Sequence, residues 1–246
     1  MKNEIKKIIS AQHEINDDIE KRIDQLLECL SDDNQFNNLD EVLKWFEAKK
    51  EEYDATDKPI DLKDVDSNWF YHEKTGNLSH KSGGFFDVIG VEVSTKLRES
   101  SGGWTQPMVD QGTEASVVGI IKKRFNGIPH YLINAKYEPG NYGKLQMSPT
   151  LQVTYSNLDV LHKGKVPLFS EYFTGEKNNS KVLLEQWWPE DGGRFYKKRV
   201  KNMIVETDCD IELPNYFIWL TMYQIKQLLK YDNIVNCHLR SITSFL

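Results

Sequence analysis

The dipeptide Asn126-Gly127 constrains this chain more than any other feature, because a two-residue connection of that composition supplies the positive φ that both central positions of a type I′ turn require. Residues 115–125 and 128–135 on either side are rich in β-branched and aromatic side chains, so they are read as the two arms of an antiparallel hairpin. Any fold for this chain must contain that hairpin, and the other elements have to be arranged around it.

Further along, Ser148-Pro149-Thr150-Leu151-Gln152-Val153-Thr154-Tyr155-Ser156-Asn157 alternates with period two. Thr150, Gln152, Thr154 and Ser156 fall on one face of a strand, and Leu151, Val153 and Tyr155 on the other. Solvated strand faces more often carry Lys and Glu, so four neutral polar groups in register predict a pocket for a ligand rich in hydroxyls and carbonyls, with sugar as the first guess. A half-exposed strand with Thr present on propensity alone is the competing reading.

The ends of the chain read as helix. Ile15, Ile19, Ile23, Leu26, Leu27 and Leu30 recur at helical spacing, giving one or two amphipathic helices over residues 3–31. A further helix starts at Asn38, with Glu41 three residues on. It fades through the charged residues 49–58, with Pro59 as its stop. Near the other end, Thr221 with Gln224 makes a second capping-box pair, and Asn233 is a C-terminal stop. Between the helices lie strand candidates at 85–93, 181–187, 194–200 and 203–206, with a turn at 189–193. Helices, then strands, then helix give an α+β class: residues 1–58 form an N-terminal helical arm, which offers dimer contacts, and residues 59–246 form one module.

Composition narrows the function. A net charge of −6 argues against a general nucleic-acid binder. Cys29, Cys209 and Cys237 are scattered, with no C-x-x-C spacing, so neither a disulfide framework nor a zinc site is expected. With no apolar leader and no span of about 20 apolar residues, a cytoplasmic protein away from membranes is expected.

Several short motifs recur in order: His80-Lys81-Ser82-Gly83-Gly84-Phe85-Phe86, Gln106-Pro107 with Gln111, and Lys136-Tyr137-Glu138-Pro139-Gly140-Asn141. They are followed by Gln146-Met147-Ser148-Pro149-Thr150, then residues 152–157, then Arg194-Phe195 with basic residues after it. Through these motifs the chain resembles the NDP-hexose 2,3-dehydratases over roughly residues 68–246. The resemblance implies a Nudix-like, mostly antiparallel mixed sheet flanked by helices, without the Nudix catalytic motif and without a metal. Members usually carry two modules where this chain has one, which implies a homodimer. The implied substrate is a nucleotide-linked 4-keto-6-deoxyhexose, typically dTDP-linked. The reaction is β-elimination of water through an enolate with no redox cofactor, and a C3 ketoreductase takes the product. A non-catalytic nucleotide-sugar binder and an epimerase acting next to the carbonyl are the alternatives.

Such chemistry needs a base for the C3 proton, a donor at O4 and an acid for the departing O2. The candidates are Lys136, Glu138, Tyr155, His80 and His162, with Lys136 and Glu138 two residues apart on one strand and therefore on one face. For binding, Arg194 offers a bidentate fork to a diphosphate with Lys198 near it. Trp104 offers a stacking plane, as do Trp69 and Trp187. Gln106, Gln111, Asn141, Gln146, Ser148, Thr150, Gln152, Thr154 and Asn157 are candidates for reading sugar hydroxyls and pyrimidine carbonyls.

Overall fold

The structure is a computed structural model that describes residues 2–30, 32–96, 102–158, 166–175 and 179–245. Three helices lead the chain: α1 (Lys2–Ser10), α2 (Asp17–Glu28) and α3 (Leu39–Glu52). Asn16 caps α2 by accepting from the Ile19 amide, and Asn38 with Glu41 forms the full capping box expected for α3. This third helix stops at Glu52, well before Pro59, because Tyr53 is extended and the Lys144 ammonium donates to the Tyr53 carbonyl and, at 3.4 Å, to Lys50. Such a cap comes from a residue remote in sequence, so the local pattern could not reveal it. While α1 buries no residue, α3 places Val42 and Phe46 in the main core, both fully buried.

The strands make two sheets. The first is a four-stranded antiparallel sheet in sequential order: β1 (Trp69–Tyr71), β2 (Leu78–His80), β3 (Asp87–Val93) and β4 (Trp104–Asp110). The strand expected at 85–93 thus begins at Asp87. It is paired on both edges, yet it alternates between exposed and half-buried positions. The second sheet contains β5 (Glu114–Phe125), β6 (Ile128–Tyr137), β7 (Leu145–Ser148) and β8 (Leu151–Thr154). After α4 (Tyr155–Leu158) it continues with β9 (Ser180–Pro189), β10 (Arg199–Thr207) and β11 (Phe217–Leu220). Its main path runs β11-β6-β5-β10-β9, and the pairing of β10 with β5 is parallel, so the sheet is mixed. Where two strands were expected at 194–200 and 203–206 there is the single strand β10. Arg194 stays in the preceding turn, which Lys197 closes with a φ of +51°.

The Asn126-Gly127 hairpin forms with φ of +50° and +82°, and its strands pair from Phe125 with Ile128 to Lys122 with Tyr131. Beyond that point they part: β5 takes β8 as its neighbour and β6 takes β7. The Thr150 hydroxyl sits at the fork, accepting from the Ile121 amide at 3.0 Å and donating to the Leu132 carbonyl. These are the two backbone groups that would pair next if the hairpin ran on, so Thr150 substitutes for a missing ladder bond and is itself buried. It therefore does not share a ligand-facing row with Gln152 and Thr154. Ser156 also leaves that row, and Tyr155 the opposite face, because the chain turns into α4 at Tyr155.

At the end of the fold, Thr221 and Gln224 form the capping box of α5 (Met222–Leu228), and Asn233 takes the left-handed conformation at φ +62°. A further helix, α6 (Cys237–Thr243), follows unannounced, with Leu239, Ile242 and Thr243 buried.

His130 ties the leading segment to the hairpin. Fully buried, it has Nδ1 2.9 Å from the Ile128 carbonyl, while Nε2 accepts from the Gln35 amide at 3.2 Å, an arrangement that requires the neutral Nδ1–H ring. Burial, the dominant influence, holds its pKa below the ordinary value of 6.5 against the opposing pull of the Ile128 carbonyl and Asp32. The stabilisation from this neutral ring is present above that ordinary value and is lost as pH falls through the depressed folded value. Denaturant titrations across this acid range are expected to show a decline that His130→Gln reduces.

Candidate functional site

Where β5 and β6 part, the fork opens into a cavity of about 560 Å³, a volume typical of small-ligand sites. Gln111, Lys136, Glu138, Gln152, Thr154, Asn157, Arg194 and Lys198, all expected from sequence, line it together. Two other hollows, of about 380 and 460 Å³, contain none of the expected site residues.

Backbone geometry fixes this convergence. Lys136 sits near the end of β6, with Glu138 just beyond it, while Gln152 and Thr154 occupy alternate positions of β8. Lys136 Nζ lies 3.3 Å from Glu138 Oε1 and donates to the Gln152 carbonyl at 3.1 Å. Gln152 Nε2 donates to the same carboxylate oxygen at 2.8 Å, and Asn236 Nδ2 donates to Gln152 Oε1 at 3.0 Å and to Ser148 Oγ at 2.8 Å. This relay leaves Gln152 with a fixed amide orientation and pins the Lys136–Glu138 pair to the cavity wall.

A second pair stands on the turn between β9 and β10. Lys198 is almost wholly buried, with Nζ 3.7 Å from Glu190 Oε2 and 4.5 Å from the Phe195 ring centroid. Its desolvation lowers the ammonium pKa, and Glu190 opposes that effect. Arg194, by contrast, pairs with Asp191 in the open: their side chains are 79% and 46% exposed. An exposed pair of this kind contributes at most about 1 kcal/mol, so its guanidinium is readily transferred to an incoming anion.

Sequence reasoning missed part of the lining. His238 on α6 faces the cavity, and its pKa is lowered by burial, opposed by Glu190 and Glu138 and assisted by Lys198 and Lys136. Ser116 contributes a buried hydroxyl with no hydrogen-bond partner among the described residues, and Phe86 and Phe195 supply aromatic surface. The available signal for α6 was Asn236, a cap-type residue three positions before Leu239, whose amide it does accept from at 2.8 Å.

Other expected residues lie elsewhere. His80 is on β2 of the smaller sheet, with Nδ1 2.8 Å from Ser82 Oγ and its ring against Trp69 and Phe85. Tyr155 opens α4 and lies outside the cavity lining. His162 lies outside the described residues. Trp104 Nε1 donates to Gln106 Oε1, and Gln106 in turn donates to the Gly193 carbonyl at 3.0 Å, bracing the turn before Arg194. Asn141 closes its own loop by donating to the Lys136 and Lys144 carbonyls, and Gln146 donates to the Asn233 carbonyl. Ser148 is buried beneath Asn236, Trp69 packs against Phe86 of the lining without lining the cavity itself, and Trp187 lies under Arg199 and Lys201. In Gln106, Asn141, Gln146 and Ser148 the amide or hydroxyl satisfies backbone or a neighbour, a role with the same sequence signature as ligand reading.

All three cysteines are free thiols, no described helix is long and apolar enough to cross a membrane, and no three described His, Cys, Asp or Glu side chains are grouped to hold a metal.

Comparison with known proteins places these features. The chain is 40% identical over 178 residues to the dTDP-4-dehydro-6-deoxy-α-D-glucopyranose 2,3-dehydratase of Saccharopolyspora spinosa, covering 72% of this chain and 36% of that one. It is 36% identical over 211 residues to the enzyme of the same name from Amycolatopsis orientalis, covering 84% of this chain and 44% of that one. It thus spans less than half the length of these curated relatives. Likeness to solved structures is remote: an ADP compounds hydrolase superposes with a TM-score of 0.38 at 8% identity, over 65% of this chain and 83% of that one. Residues 39–246 match the family profile described as NDP-hexose 2,3-dehydratase, and the chain belongs to that family.

Proposed function

We propose that this chain removes water across C2 and C3 of a dTDP-linked 4-keto-6-deoxyhexose. The observation that carries the reading is the convergence of Lys136, Gln152, Thr154 and Arg194 on one cavity in a member of this family. The C3 hydrogen is acidic because it adjoins the C4 ketone, and the C2 hydroxyl is β to that ketone. Loss of the proton gives an enolate, whose electron pair then forms C2=C3 as hydroxide leaves. The enol tautomerises to a 3,4-diketo sugar with no net oxidation, so no redox cofactor enters the balance. Lys136 meets the charge growing on O4, with Glu138 holding the ammonium in place. Gln111, Ser116, Gln152, Thr154 and Asn157 read hydroxyls and pyrimidine carbonyls.

Arg194 takes the diphosphate. Arg194→Ala is expected to raise the Kd for dTDP about 10-fold or more by calorimetry, with the difference shrinking as salt rises.

The product is a reactive diketone, which suits handover to a C3 ketoreductase. The exposed Ile8, Leu26 and Leu30 of the leading helical arm, residues 1–58, support a homodimer assembled through it.

Mass spectrometry of dTDP-4-keto-6-deoxyglucose incubated with the protein tests the reading. Loss of one water is the expected result. Binding without mass change would mark a non-catalytic module, and solvent deuterium entering C3 without loss of water an epimerase.

A further inference from the structure

His238 is half-buried on the cavity wall, and among the described residues its ring has no hydrogen-bond partner. Its backbone is nevertheless fixed. The segment before it pairs with β7, the Met147 amide donating to Ile234 at 2.7 Å and the Asn236 amide to Met147 at 3.0 Å, while Asn236 caps α6. The ring is therefore preorganised by its main chain and left free at its nitrogens, the condition a proton-transfer group must satisfy. The competing carboxylates are already engaged. Glu138 accepts from both Lys136 and Gln152, and Glu190 faces Lys198. The Ser116 hydroxyl, buried in the same lining, has no hydrogen-bond partner among the described residues.

We propose that His238 is the acid–base residue of this cavity: its neutral ring removes the C3 proton of the ketosugar, and the imidazolium so formed returns that proton to the oxygen leaving C2. This assignment rests on the dehydratase reading. The C3–H pair becomes the C3=C4 enolate; that pair then forms C2=C3 as the C2–O bond breaks, and hydroxide takes the proton from the ring to leave as water. The ring ends neutral, as it began, and one group serves both transfers.

The groups facing the ring are Glu138 and Lys136 at the end of β6, Glu190 and Lys198 from the turn between β9 and β10, and Cys237 beside it on α6. Burial and the two ammonium groups favour the neutral ring, the two carboxylates favour the cation, and the former prevail, so the ring is a base at neutral pH. Activity should therefore fall on the acid side only below the ordinary histidine value of about 6.5.

His238→Asn and His238→Gln, assayed in deuterated water with dTDP-4-keto-6-deoxyglucose, separate the possibilities. Both C3 exchange and water loss are expected to fall roughly 10²–10⁴-fold, with the Kd for dTDP changed less than about 3-fold. The residual rate of either variant should also lack the acid limb of the wild-type kcat/KM profile. A variant that keeps C3 exchange within about 3-fold of wild type overturns the assignment. So does a wild-type profile with no acid limb below about pH 6.5, a readout that stands even if neither variant folds. If wild type exchanges C3 through His238 without losing water, the dehydratase reading falls and the His238 assignment survives. If wild type binds dTDP and does neither, both fall.

Discussion

Converting Lys136 to methionine is expected to slow water loss roughly 10²–10³-fold while hardly moving the unfolding midpoint. The ammonium is held 3.3 Å from Glu138 Oε1, but the two side chains are 26% and 36% exposed, so solvent screens the pair and its share of stability is at most about 1 kcal/mol. Methionine preserves the aliphatic stem, and Glu138 keeps its bond from Gln152 at 2.8 Å, so the wall stays in place. What disappears is the positive charge opposite the developing enolate. Steady-state kinetics together with urea denaturation check this, since a loss of stability matching the loss of rate would make Lys136 a strut instead of a reacting-site donor.

A comparable effect on folding is expected from Gly119→Ala. Gly119 lies in the middle of β5 between Leu151 of β8 and Met203 of β10, and the Phe173 ring rests directly on it. A Cβ at this position would stand 2.2 Å from Phe173 Cε1, far inside van der Waals contact. Phe173 belongs to a second core cluster with Leu151, Val153 and Trp219, so the ring has little freedom to withdraw. Overpacking of this kind costs about 1–3 kcal/mol, which for a domain of this size lowers Tm by roughly 2–12 °C. Adding Phe173→Leu should recover part of the loss. Strictly additive effects in a thermal double-mutant cycle would show that the ring and the backbone are not in contact.

The sequence disclosed the elements whose rules are local. Asn126-Gly127 needs only two residues to set a turn, and the capping boxes at Asn38 and Thr221 need four each, so all three appear where expected. Contacts that depend on remote partners were hidden. The end of α3 is set by Lys144, and the polar row on β8 is broken because Thr150 answers backbone groups of β5 and β6. The cavity itself was half legible. Lys136, Glu138, Gln152 and Arg194 lay in motifs dense enough to notice, whereas His238 sits in a seven-residue helix with only one buried turn to announce it. The family resemblance was recognisable because ordered motifs survive even where single residues carry several meanings. It could not say which amides face a ligand and which close a loop.

The parallel seam between β5 and β10, with Glu114 opposite Arg199, has a kinetic consequence. A hairpin arm can find its neighbour within microseconds, but this seam waits for some eighty intervening residues to be laid down and looped back. A nascent chain should therefore acquire the fork early and stay catalytically silent until translation has passed α6. Hydrogen exchange during refolding would record the delay as early protection in residues 122–131 and late protection in residues 199–207.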